Sequence, residues 1–91
     1  MIFEWDPDKA RQNLIKHDVS FEEAGTAFKD KLSITIPDPL HSDDEDRFIL
    51  IGYSESNRLL VVVHTDRNDR IRIISARQAT KKERITYEEG I

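Results

Sequence analysis

The fold of this chain is decided by Arg70-Ile71-Arg72-Ile73-Ile74-Ser75-Ala76-Arg77-Gln78-Ala79-Thr80, which predicts a strand followed directly by a helix. Ile71 and Ile73 alternate with Arg70 and Arg72. Alternate side chains of a strand point to opposite faces, so residues 69–75 form a strand with one buried face and one face of guanidinium groups. The pattern therefore predicts a strand with one basic face, and we expect the function of the protein to depend on that face.

The helix that follows this strand has a recognisable start. Thr80 and Glu83 have the spacing of a capping box, in which the two side chains cap each other's backbone N–H groups. Residues 67–84 carry seven Lys or Arg against two acids, a local net charge of +5 in a chain whose net charge is -4. Positive charge gathered on rigid elements indicates a phosphate-bearing partner, and the alternative is a solvated strand face beside a helix start.

Length and composition limit the class of protein. The 91 residues predict a single domain over residues 1–91, with a thin core and a heavily charged surface, since 37% are hydrophobic and 35% are charged. The chain has no cysteine, which excludes a disulfide framework, a thiolate zinc site and a cysteine nucleophile. A reducing cytoplasm fits this composition.

Neither a membrane span nor an export signal is predicted. The longest apolar run, residues 59–63, is far shorter than the roughly 20 residues that a membrane helix needs. The N-terminus lacks the basic and apolar regions of a signal peptide, so we expect a cytoplasmic protein. A pI of about 5.3 argues against general coating of nucleic acid, which scales with the number of neutralised phosphates. Any contact with nucleic acid must be local to the basic end.

A short strand over residues 1–5 precedes the first helix. Asp6-Pro7 is a good helix start, and the helix is expected to run from Asp6 to about His17. Ala10, Leu14 and His17 would form its narrow buried stripe. Asn13, beside that stripe, is expected to be a buried hydrogen-bonding anchor.

A second helix follows after a tight joint. Ser20 and Glu23 have the spacing of another capping box, and the helix should end near Phe28. Asp18 is expected to take the left-handed conformation that ends the first helix, a position that glycine fills more easily.

Four strands and a final helix complete the chain. The last three strands form a hairpin-linked meander, and the strand at residues 32–36 joins it through an acidic loop. The closing helix, to Glu89, is expected to pack through Ile85. The prediction is an α+β fold, a compact antiparallel sheet flanked by helices, in the order β-α-α-β-β-β-β-α, with the last five elements at residues 32–36, 47–53, 59–65, 69–75 and 80–89.

The three histidines are the side chains that normally titrate near neutrality. His64 ends an apolar strand, so it is either a core residue or a general acid or base. His17 closes the first helix, where a structural cap role competes with proton transfer. His41 lies in the acidic loop and carries little signal.

Acidic residues cluster in the loop between the second and third strands. This cluster lacks the ligand periodicity and the turn glycine of a calcium loop, so a solvated loop is expected, without a metal site or a cofactor. The acidic residues are Asp38, Asp43, Asp44, Glu45 and Asp46.

Several short pieces of the sequence occur in a specific order and spacing. They are Phe3-Glu4-Trp5-Asp6 with Lys9 and Asn13, Lys16-His17 followed by residues 19–24, residues 43–47, and residues 70–77 with Ala79, Glu83 and Tyr87. Together they resemble the BrnT family of bacterial type II toxins over nearly the whole chain. Two residues depart from the family pattern: Asp18 stands where glycine is common, and His64 where tyrosine is frequent.

This resemblance implies a RelE-like ribonuclease that cuts RNA without metal and inhibits translation and growth. The 2′-hydroxyl of the substrate would attack the adjacent phosphate while basic side chains stabilise the transition state. The resemblance also implies neutralisation in a hetero-oligomer by a BrnA-like antitoxin with a DNA-binding ribbon-helix-helix domain, so that contact with DNA is only indirect.

Roles follow residue by residue from the same resemblance. Arg72 and Arg77 would clamp the scissile phosphate, and either His64 or His17 would carry the proton. Flanking RNA phosphates would be held by Arg70, Lys81 and Arg47.

The sequence is also compatible with two other classes of protein. The basic strand of a non-catalytic module would only contact nucleic acid. Alternatively, the same arginines would pair with carboxylates of an acidic protein partner and would not bind RNA.

Overall fold

The computed structural model describes residues 1–39 and 46–90, which form five strands, three α-helices and a short 3-10 helix at Ala27–Lys29. Their order is the predicted one. The expectations for His41, Asp43, Asp44 and Glu45 fall outside the described residues. The strands and α-helices are β1 (Ile2–Glu4), α1 (Pro7–His17), α2 (Phe21–Thr26), β2 (Ile34–Pro37), β3 (Arg47–Tyr53), β4 (Leu59–Arg67), β5 (Arg70–Gln78) and α3 (Lys81–Glu89).

All five strands belong to one sheet, in the order β1-β5-β4-β3-β2. The pairs β2–β3, β3–β4 and β4–β5 are antiparallel, as a meander requires. The pair β1–β5 is parallel, with Ile2 opposite Arg70 and Glu4 opposite Arg72. The sheet is therefore mixed, because β1 reaches β5 from the other end of the chain and no hairpin fixes its direction.

A β-bulge interrupts the pairing of β4 with β5. Val63 lies opposite Ser75, whereas His64 lies opposite Ile73, so Ile74 is an extra residue in β5. The bulge lets Ile73 and Ala76, three positions apart, both be buried on the same face. Simple alternation in the sequence did not predict it.

The main core lies between α2 and one face of the sheet. The prediction that Leu14 on α1 is buried was wrong, since that side chain is 48% exposed. Phe3, Trp5, Ala10 and Phe28 border the core. The buried apolar residues are Val19, Phe21, Ala24, Ala27, Leu50, Leu60, Val62, Ile73 and Ala76.

A smaller cluster, Ile51, Leu59 and Val61, lies on the opposite face beside α3. The prediction that Ile85 anchors α3 was wrong, because Ile85 is 46% exposed and Tyr87 packs there instead. Burial, and then its hydrogen bond of 2.6 Å to Asp30, raise the pKa of Tyr87 to about 12.

The predicted helix caps are formed with one exception. The capping box of Thr80 and Glu83 is complete, and Asp18 is left-handed with φ 58°. The Ser20 hydroxyl accepts from the Glu23 N–H, but the Glu23 carboxylate does not return to Ser20. That carboxylate accepts from Arg58 instead, and the pKa of Glu23 is lowered mainly by this bond.

Asn13 is the buried anchor that the sequence predicted. Its side-chain amide donates to the carbonyls of Ala76 (2.8 Å) and Val19 (2.9 Å), and its oxygen accepts from the Ala76 N–H at 3.0 Å. Because β1 ends opposite Arg72, this amide takes the place of a neighbouring strand at Ala76. Asn13 thereby fixes α1 against the edge of β5.

We expect Asn13→Ala to lower the free energy of unfolding by about 2 to 4 kcal/mol, because three backbone groups lose a partner in a buried position. Urea unfolding followed by circular dichroism measures the loss. Gln12→Ala is the matched control on the next, exposed position, and it should change stability by less than about 0.5 kcal/mol. Equal unfolding midpoints for the two variants would contradict the anchoring role.

Candidate active site

The arginines of β5 stand on the sheet face opposite the main core. Arg72 lies opposite Thr65 and Arg77 opposite Val61, while the buried Ile73 lies opposite His64. Residues paired across strands share a face, and the bulge at Ile74 keeps the two arginines on the same one. The predicted clamp residues, Arg72 and Arg77, are therefore brought to one surface.

Arg77 is held in a fixed position by the start of α3. Its two terminal nitrogens donate to the two Glu83 carboxylate oxygens, each at 2.8 Å, and one of them also reaches the Gln78 carbonyl at 3.3 Å. The same carboxylate accepts from the Thr80 N–H at 2.8 Å. The Arg77 side chain, 41% exposed, is thus preorganised and still open to a ligand.

Arg72 and Arg70 share a single carboxylate on β1. A terminal nitrogen of Arg72 lies 3.2 Å from Glu4, and one of Arg70 lies 3.7 Å from the same side chain. Arg70 is the more exposed of the two. One acid therefore balances two guanidinium groups, and the pair keeps a net positive charge.

Arg47 and Lys81 flank this surface on different elements. Arg47 lies opposite Thr65, which lies opposite Arg72, so the three residues form a row across β3, β4 and β5. Among the residues that the structure describes, the buried Thr65 hydroxyl has no hydrogen-bond partner. Lys81 is exposed in the first turn of α3.

His64 is not brought together with the arginines. It is 4% exposed on the core side of the sheet, where its ring lies 4.8 Å from that of Phe28 and 5.9 Å from that of Phe48. Burial lowers its pKa, although Nδ1 lies 3.4 Å from the Val62 carbonyl. This environment is that of a neutral core histidine.

His17 lines a surface pocket at the edge of β5. The pocket has a volume of about 200 Å³ and is continuous with Ser75, which lies between Arg72 and Arg77 along the strand. His17, unlike His64, is therefore on the accessible edge beside the basic face. The other lining residues are Lys9, Gln12, Asn13, Lys16 and Ile74.

Several residues of this site were not identified from the sequence. The capping-box pattern identified Glu83 as a helix cap. It did not predict that the Glu83 carboxylate also accepts hydrogen bonds from Arg77. Glu4 contributed to the family resemblance, but its contact with Arg72, which joins opposite ends of the chain, was not predicted. Lys9 and Lys16 were not predicted to act together, although their spacing of seven residues, about two helical turns, places them on the same side of α1.

The described part of the chain contains neither a cluster of metal ligands nor a helix that could span a membrane. No group of three or more His, Asp or Glu side chains in residues 1–39 and 46–90 is placed to hold a metal ion. No helix within those ranges has the length and apolar character needed to cross a membrane.

The ion pair of Arg77 and Glu83 predicts a specific dependence of stability on pH. The hydrogen bonds from Arg77 lower the pKa of Glu83 from the ordinary 4.5 to about 2. Because folding lowers this pKa, the ionised carboxylate stabilises the fold above pH 4.5, and the contribution is lost as the pH falls towards about 2. The full shift corresponds to about 3 kcal/mol, reduced to about 1 to 2 by the partial exposure of both side chains.

We therefore expect Glu83→Gln to be less stable than the parent by about 1 to 2 kcal/mol at pH 7. The difference should shrink steadily between pH 4.5 and pH 2. Urea unfolding of both proteins across that range measures it, and other carboxylates affect both alike. A difference that stays constant with pH would mean that the charge of Glu83 does not contribute.

Comparisons with known proteins agree with this architecture. A family model described as the ribonuclease toxin BrnT of type II toxin-antitoxin systems matches residues 5–83. The fold is similar to the 1.1 Å crystal structure of the Brucella abortus ribonuclease toxin BrnT, with a TM-score of 0.65 and 20% identity over 89% of this chain and 100% of that chain. At that identity the likeness shows a shared fold. No curated protein matches the sequence.

Proposed function

The chain belongs to the BrnT family of ribonuclease toxins of type II toxin-antitoxin systems, and we propose that it is an endoribonuclease that cleaves RNA and thereby inhibits translation and growth. The observation that carries this proposal is the pair Arg72 and Arg77 on one open face of the sheet. Arg77 is preorganised by the two-point contact with Glu83. A fixed cation of this kind stabilises the charge that develops on a phosphate during its displacement.

In the proposed reaction, the ribose 2′-hydroxyl attacks the adjacent phosphorus and the bond to the 5′-oxygen breaks. The products are a 2′,3′-cyclic phosphate and a free 5′-hydroxyl, so one proton leaves the attacking oxygen and one reaches the leaving oxygen. Arg72 and Arg77 stabilise the additional negative charge on the phosphate oxygens. This chemistry requires no metal.

His17 is proposed to exchange the proton with one of these two oxygens. It is accessible in the pocket beside Ser75, whereas His64 is enclosed by Phe28 and Phe48 on the other side of the sheet. A general acid or base must come within hydrogen-bond reach of the reacting group. Arg70, Lys81 and Arg47 would hold flanking phosphates around this centre.

A type II family implies an antitoxin partner, and we propose a BrnA-like ribbon-helix-helix protein in that role. Such a partner would cover the basic face with acidic and apolar side chains and form a hetero-oligomer with this chain. The partner binds only the folded toxin, so it would also stabilise the thin core. Contact with DNA would be made only through the antitoxin.

The test is expression without any antitoxin, combined with cleavage of RNA by the purified chain in excess EDTA. Growth arrest and cleavage that persist in EDTA are expected, with products that end in a cyclic phosphate. Cleavage that stops in EDTA and returns with added magnesium would reject the metal-independent reaction. The absence of both arrest and cleavage in a well-folded protein would reject the ribonuclease.

A second candidate function is a binding module without catalysis. It is favoured by one observation: both clamp arginines already have carboxylate partners within the chain, Glu83 for Arg77 and Glu4 for Arg72. Such pairing is also found in arginines whose role is structural. Uncleaved RNA bound by a folded protein would support this candidate.

A further inference from the structure

One side of α1, adjacent to Ala10 at the border of the main core, carries polar side chains. Lys9, Asn13 and Lys16 are spaced by four and three residues, so they lie on one side of the helix, and all of them line the pocket at β5. Leu14 and Ile15, in contrast, are 48% and 80% exposed. Two apolar residues of α1 are thus exposed while polar side chains line the pocket, an arrangement expected where function outweighs packing.

The pocket is a gap in the edge of β5 that the fold leaves open. β1 pairs with β5 only as far as Arg72, and Asn13 closes the edge again at Ala76. Between these points the bulge adds Ile74, and both Ile74 and Ser75 line the gap. Bulges beside functional sites commonly redirect side chains in this way.

The charge of the gap is positive and unbalanced. Of its seven lining residues, Lys9 and Lys16 are cationic, His17 is titratable and none is acidic. Within residues 1–39 and 46–90, neither lysine forms an ion pair, although Arg11 on the same helix pairs with Asp8 at 2.8 Å. Two unpaired lysines around a concave polar surface are complementary to an anion.

We propose that this gap is a second phosphate subsite, in which Lys9 and Lys16 hold the RNA backbone phosphate next to the one gripped by Arg72 and Arg77. The volume of about 200 Å³ is below the roughly 300 to 1,000 Å³ of drug-sized ligand pockets, which fits one phosphate with part of its ribose. Ser75 joins the gap to the arginine face, so a single strand can span both. The proposal rests on the proposed function only in taking RNA as the ligand.

The experiment uses a short single-stranded RNA in which every ribose is 2′-O-methylated, because this probe lacks the attacking hydroxyl and cannot be cleaved. Its affinity is measured by fluorescence anisotropy at several salt concentrations. We expect the double variant Lys9→Ala, Lys16→Ala to bind about tenfold more weakly at 50 mM salt, with a salt slope reduced by about 0.7. The matched control is Lys29→Ala, Lys31→Ala, which also removes two lysines, both outside the gap.

Cleavage of unmodified RNA is measured separately, so that the two proposals fail independently. A parental chain without cleavage whose binding still depends on Lys9 and Lys16 would support the subsite and reject the ribonuclease. An active parent, with the double variant binding the probe as the control does, would overturn the subsite and leave the ribonuclease intact. The subsite is also overturned if the two lysines affect only the affinity for the antitoxin.

Discussion

Arg77→Ala is expected to lower the rate of RNA cleavage by about 10² to 10³ and to abolish growth arrest, while the variant remains folded. The expected size follows from the loss of one preorganised donor to a developing oxyanion, about 3 to 4 kcal/mol. Arg77 meets this description because Glu83 holds both terminal nitrogens of its guanidinium at 2.8 Å. Arg72→Ala should have a smaller effect in the same direction, since its contact with Glu4 is single and longer, at 3.2 Å.

Two further variants test whether the geometry of Arg77, and not positive charge alone, is required for activity. Arg77→Lys keeps the charge but cannot donate from a planar fork, so we expect it to lose most of the activity. Lys82→Ala removes an exposed cation from the same helix start and should retain most of it. Rates are compared per folded molecule, because Arg77→Ala also deprives Glu83 of its partner. Parental cleavage by a well-folded Arg72→Ala, Arg77→Ala double variant would show that the basic strand is not the active site.

The parts of the fold that were predictable are those that depend on near neighbours in sequence. The capping box at Thr80 forms as its spacing indicated, since the two side chains are three residues apart. The meander was likewise evident, because short turns fix which strands pair. Asp18 takes the left-handed conformation because the helix must end between His17 and Val19.

The features that were missed depend on residues far apart in sequence. The parallel pairing of β1 with β5 joins residues separated by most of the chain, and no local pattern encodes its direction. The Glu23 carboxylate does not complete the predicted capping box because it binds Arg58, which is 35 residues away in sequence. A hydrogen bond from this charged donor is stronger than one from a backbone N–H. The helix that contains Leu14 was predicted correctly but its buried stripe was not, because Asn13 docks on the edge of β5 and Leu14 is left 48% exposed.

The same reasoning applies to the choice between the two histidines. Sequence alone placed His17 at a helix end and His64 at a strand end, and either position is compatible with proton transfer. The sheet separates them, because His64 lies opposite Ile73 on the core side. Its lowered pKa, caused by burial, keeps the ring neutral near pH 7. Of these two histidines, His17 borders the gap that is also lined by Ser75, which lies between Arg72 and Arg77 along β5.

We therefore expect His17→Ala to slow RNA cleavage by about 10² to 10⁴, the usual contribution of a general acid or base. His64→Phe should cleave RNA within a few-fold of the parent, because it replaces one buried ring between Phe28 and Phe48 by another. The measurement is the rate of cleavage as a function of pH, with folding checked by circular dichroism. If His17→Ala keeps the parental rate and profile while His64→Phe, fully folded, is inactive, the proton must pass through the core side of the sheet and the proposed site is wrong.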